Sequence, residues 1–152
     1  MSHVNLIAAS KELPLCDRQE FRESIVTVLG CEPVTVGCTC GFVVAPHEYY
    51  RYAVDKLSIE MKPFQYWLDF QMCQTDLDHL LAYLRDNFAP SEEVELWSLW
   101  VGLGGGKVHH YRGRLSEFDL ETLGMLYETQ HEPDPTGEFD DLFSQVCVTV
   151  EI

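Results

Sequence analysis

Val94-Glu95-Leu96-Trp97-Ser98-Leu99-Trp100-Val101 carries bulky apolar side chains at both parities. In an extended strand successive side chains point to opposite faces. Leu96 and Trp100 fall on one face, and Trp97, Leu99 and Val101 on the other. A strand with one wet face alternates apolar and polar residues, whereas a strand that is bulky on both faces needs cover on both. The run predicts a central strand with packed layers above and below.

Toward the C terminus, Gly102-Leu103-Gly104-Gly105-Gly106 leads into a short strand, Lys107 to Arg112. A phosphate loop would run into a helix whose N-terminal amides hold the anion. Val108-His109-His110-Tyr111 has strand character instead and no Gly-Lys-Ser/Thr is present, so the glycines predict a hairpin loop. Ser116 caps a helix, Glu117 to Glu128, with Leu120, Leu123, Leu126 and Tyr127 as its inner stripe. His131 to Asp141 follows as a loop with two prolines. Phe143 to Ile152 is a last strand with Val146, Val148, Val150 and Ile152 on one face.

Toward the N terminus, Thr75 offers a capping hydroxyl, and Asp76 and Asp78 suit the positive end of a helix. Leu77, Leu80, Leu81, Leu84 and Phe88 follow at helical spacing, and Pro90 ends the helix. Phe64 to Met72 alternates with period two. Tyr52 to Met61 reads as a second strand, joined to it through Lys62-Pro63 as a hairpin. Val34 to Val44 fits two strand pieces around Gly37 to Gly41. Asp17 to Leu29 has an N-cap in Asp17 and apolar Phe21, Ile25, Val26 and Leu29 at helical spacing, although Ile25-Val26-Thr27-Val28 is β-like. Residues 3–8 form a short strand. Hairpins with interspersed helices predict an α+β fold: a mainly antiparallel β-sheet with two or three helices packed against it. A length of 152 residues suits a single domain, 1–152.

The charge excludes more than the length does. Twenty-five Asp and Glu against ten Lys and Arg give −15 at pH 7. Binding to a phosphate backbone rests on Lys and Arg, so a nucleic-acid partner is excluded, and an anionic membrane is disfavoured for the same reason. The charge is uneven. Residues 1–114 hold fifteen acids and all ten bases, while residues 115–152 hold ten acids and no Lys or Arg, a net of −10. Such a segment is either a solvated face or a surface made to meet a basic partner. No run reaches the roughly 20 apolar residues that span a bilayer, and no basic export leader precedes Val4 to Ala9, so a cytoplasmic location with reduced thiols is expected.

Among the six cysteines, Cys31 and Cys38-Thr39-Cys40, with His47 beyond them, offer a thiolate metal site, but the second Cys pair of a structural zinc site is missing. Cys147 alternates with valines as a buried small hydrophobe. His109 and His110 point to opposite faces of a strand and cannot chelate one ion together. The acidic loop 131–141 lacks the ligand register of a calcium loop. Trp67, opposite the apolar face of its strand, suits an exposed interface anchor.

The acidic stretch Glu117 to Asp141 and the strand Glu95 to Val101, in a small acidic α+β chain without a catalytic motif, resemble bacterial immunity proteins that neutralise polymorphic or contact-dependent toxins. The resemblance implies a non-enzymatic, acidic protein-binding domain that occludes the active site of a basic toxin, with no cofactor. The expected contact field is Glu117, Asp119, Glu121, Glu128, Glu132, Asp134, Asp140 and Asp141, with Trp67 as an apolar anchor. The alternative is a small metal-binding protein or enzyme using Cys38, Cys40 and a histidine. A third reading is a subunit of a larger assembly, with the strands at either end of the chain as pairing edges.

Overall fold

The computed structural model describes residues 2–102, 107–126, 131–133, 136 and 141–152, with side chains except at 22, 24, 38–40, 131–133 and 141–142. Seven strands form one sheet: β1 (Ser2–Ala9), β2 (Cys16–Val26), β3 (Val34–Pro46), β4 (Phe64–Asp69), β5 (Glu93–Val101), β6 (Val108–Arg114) and β9 (Gln145–Glu151), in the order β2-β3-β4-β1-β5-β9-β6. Every pairing is antiparallel except that of β6 with β9. A separate two-stranded ladder joins β7 (His131–Pro133) to β8 (Asp141–Phe143). The helices are α1 (Arg51–Asp55), α2 (Gln74–Asn87) and α3 (Leu120–Met125), with a 3₁₀ turn at Leu115–Glu117. The fold is α+β, as its pattern predicts, and no described helix is long and apolar enough to cross a membrane.

β5 is the covered central strand. Val94 and Leu96 enter the larger core, where Ile7, Phe42, Leu68 and Val148 of the sheet pack on Leu80 and Leu84 of α2 and Leu123 of α3. Trp97, Leu99 and Val101 enter a second core on the other face, with Leu6, Cys147 and Val54 of α1. The valines of β9 share the first core, as their parity requires. Tyr83 of α2 donates its hydroxyl to the Pro14 carbonyl at 2.6 Å, and Tyr66 of β4 accepts the Leu13 N–H at 3.0 Å, which fixes the segment between β1 and β2.

Several expectations are overturned. Asp17 to Leu29 is no helix: β2 pairs with β3 along Cys16–Val26, because Val34–Pro46 supplies a full-length partner. β3 is one unbroken strand rather than two pieces. Its glycines fit the ladder: a Cβ at Gly37 would lie 2.5 Å from Phe21 Cζ, so the Phe21 ring fills the space above it. Tyr52 to Met61 is no strand and forms no hairpin with β4. Arg51–Asp55 coils into α1, Ser58 turns with a φ of 53°, and β4 pairs with β1 and β3. β4 ends at Asp69, short of Met72.

α2 begins at Gln74 with Cys73, not Thr75, at the N-cap. Asp76 is buried and accepts the Gln71 N–H at 2.7 Å. In place of a helix capped by Ser116, a 3₁₀ turn precedes α3, and Asp119 is the cap. The expected end of that helix at 127–128 lies outside the described residues. The expected loop 131–141 begins as β7 and ends on the first residue of β8. The terminal strands are interior: β1 lies between β4 and β5, and β9 between β5 and β6, so the sheet edges are β2 and β6.

Candidate functional site

The acids expected at the contact field start from the 3₁₀ turn and α3. Glu117, Asp119 and Glu121 are all exposed, within five residues of one another. Asp119 is partly committed, because its Oδ1 accepts from Thr122 N–H at 2.9 Å and from Thr122 Oγ1 at 3.0 Å. Those two bonds hold its carboxyl below the usual carboxylate range. Glu132 and Asp141 belong to the β7–β8 ladder, where Glu132 registers with Leu142 and Asp141 with Pro133. Glu128, Asp134 and Asp140 lie outside the described residues.

Two bases that precede this segment in the chain also approach its surface. Arg112 and Arg114 of β6 share with Glu117 the wall of a cavity of about 300 Å³ that also touches Phe118 and Met125. Arg112 is bound to Glu93 of β5. The ion pairs Lys11–Glu92 and Arg112–Glu93 engage acids of the N-terminal three quarters of the chain, which leaves the acidic excess of residues 115–152 largely uncompensated by them.

Trp67 is 44% exposed. It registers with Leu6, and Leu6 belongs to the core on the α1 face. α3 packs on the opposite face through Leu123. Trp67 and the α3 acids therefore do not form one surface.

Trp67 instead begins a row across the sheet. Trp67, Leu6, Trp97, Cys147 and His110 stand in register on adjacent strands. Trp97 and His110 meet edge to face at 5.9 Å between centroids. Beside this row a cavity of about 750 Å³ opens under the segment after α1, lined by Ile59, Met61, Lys62, Glu95, His110 and Gln145. Glu95 Oε2 accepts from Lys62 N–H and from Trp97 Nε1, both at 3.0 Å, and so ties that segment to the sheet.

Cys147 beside a histidine suggests nucleophilic chemistry, but its thiol is buried. Burial and then the nearby Glu95 carboxylate push its pKa up to about 12. The thiolate, not the thiol, is the nucleophile, so this pair is a packed contact.

The cysteines expected to bind metal are spread along the β2–β3 hairpin. Cys31 is exposed in the turn between β2 and β3. Backbone register sets Cys38 opposite Arg22 and Cys40 opposite Glu20; the side chains of Cys38 and Cys40 lie outside the described set. His47 is buried just past the end of β3. Seven residues of extended strand put it about 20 Å or more from Cys40, so it cannot share a metal with that thiol at a bond length near 2 Å. Among the described residues no group of three His, Cys, Asp or Glu is placed to hold a metal. His109 and His110 register with Val146 and Cys147, on opposite faces.

Sequence reasoning missed two long-range polar contacts made to β5. His3 Nε2 lies 2.6 Å from Ser98 Oγ, and burial lowers the His3 pKa, which favours a neutral imidazole. Gln145 is buried and bonds the Trp100 N–H at 2.7 Å and the Trp100 carbonyl at 3.1 Å. It thereby continues the contact of β9 with β5 beyond the Ser98–Val146 pair. A Gln heading an alternating valine strand was the available signal. Comparison with family models, curated proteins and solved structures finds no match for the chain.

Proposed function

We propose that the chain is a non-enzymatic, acidic protein-binding domain that inhibits a basic toxin by occluding its active site, as immunity proteins do. The observation that carries the reading is the charge: −15 overall, with −10 in residues 115–152. The exposure of Glu117, Asp119 and Glu121 side by side supports it. Carboxylates so arrayed compete with phosphate for the Lys and Arg of a nucleic-acid-cleaving site, and complementary charge speeds the encounter.

The test captures basic proteins on the immobilised chain from the cells that make it, then titrates the captured protein in solution. A stoichiometric complex supports the reading if it silences the partner's activity and weakens about tenfold or more on combined Glu117→Gln, Glu121→Gln, Glu132→Gln and Asp141→Asn. An affinity that ignores the neutralised acids, or a saturated partner that stays active, overturns it.

A further inference from the structure

Seven of the twelve large apolar side chains exposed among the described residues sit on the β2–β3 hairpin. Phe21 and Ile25 lie on one face, Val26, Val34 and Val36 on the other, and Leu29 at the tip is fully exposed. β4 reaches β3 only from Val43 to Pro46, so the remainder of the hairpin is a two-stranded arm, roughly 25 Å long. β2 is an edge with one neighbour in the sheet. The Gln19 N–H bonds to Asp17 Oδ1 of its own strand at 3.1 Å, away from β3. By the alternation of an antiparallel ladder, the odd residues of β2 present their backbone groups to the free edge.

We propose that this edge joins two copies of the chain, with β2 paired antiparallel to β2 of the second copy about a two-fold axis at Phe21. The strand is self-complementary there. That register sets Phe21 opposite Phe21 of the second copy and position 20, an acid, opposite position 22, a base, twice by symmetry. An axis one residue away, at Glu20, would set Arg18 against Arg22 instead.

The same register carries the arm tip, beyond Val26, alongside Pro14 and Leu15 of the other copy. A cavity of about 260 Å³ opens at that place; Pro14, Leu15 and Tyr83 in its lining are neighbours for Leu29, beside Arg18, His79 and Asp86. Leu15 is itself exposed. Of the seven, Phe21, Ile25 and Val26 stand on the joined strand itself, and Val28 and Leu29 follow at the tip. Residues 18–41 carry a net of only −1 of the −15, so two copies meet where they repel least.

Sedimentation equilibrium of the full chain, from micromolar to near-millimolar concentration, tests this. A dimer is expected. Glu23→Pro removes an edge-facing N–H and no bond to β3, and is expected to give a monomer with native circular dichroism. Glu20→Arg alone and Arg22→Glu alone should each weaken the dimer about tenfold. The double reversal should restore it, which a mere loss of folding would not do. A monomer at every concentration leaves the arm to a different protein and overturns the proposal. So does a dimer indifferent to Glu23→Pro and to both single reversals.

Discussion

Asp119 shows how much one carboxylate does at the start of a helix. α3 has six residues and little length to stabilise itself, so the cap matters. Bonds from Thr122 to the ionised carboxylate lower its pKa, so protonation costs the folded state more than the unfolded one. The contribution is therefore present in full above the unfolded value near ~3.9 and is lost as pH falls through the lower folded value. Asp119→Ala should melt earlier than the parent at pH 7, and the difference should close in thermal scans below about pH 4. An unchanged difference at acid pH would show that packing, not charge, sets the effect. A residue with two such bonds also has less freedom to reach a partner than Glu117 or Glu121.

The β2–β3 hairpin explains, at the scale of elements, why one local pattern admits two structures. Phe21, Ile25 and Leu29 recur every fourth residue. Four is close to one helical turn, but it is also even, so the same spacing places residues on one face of a strand. Local sequence does not separate the two, and the partner strand does. Glycine then adapts the hairpin to the sheet. Gly41 has a φ of +150°, and a Cβ there would lie 2.2 Å from the Arg18 carbonyl oxygen. Gly41→Ala should therefore cost about 1–3 kcal/mol. Urea unfolding checks the loss, and amide exchange should rise first in residues 18–26 opposite. Where one alternative had no competitor, the local pattern sufficed: the α2 leucines have a buried face from Leu77 to Leu84, and the β9 valines hold theirs.

At the scale of the whole molecule, charge dominates. A chain at −15 repels itself when compact. Raising salt from about 0.05 to 0.5 M should screen this and raise the melting temperature by a few degrees. Salt that left it flat or lowered it would mean that pairs such as Lys11–Glu92 outweigh the repulsion. The same salt should weaken binding to a basic partner.

By itself the sequence determined the α+β class, the two-faced central strand, the α2 stripe and the facing of β9. Each follows from the period of apolar residues within one segment, which the backbone imposes locally. Only the tertiary structure decided which strand borders which. It buried both terminal strands, left β2 at an edge and set Trp67 on the face away from α3. It also paired Arg112 with Glu93 of β5, 19 residues away in the chain. Pairing and charge proximity depend on residues distant in the chain that become adjacent only when the sheet closes over its two cores.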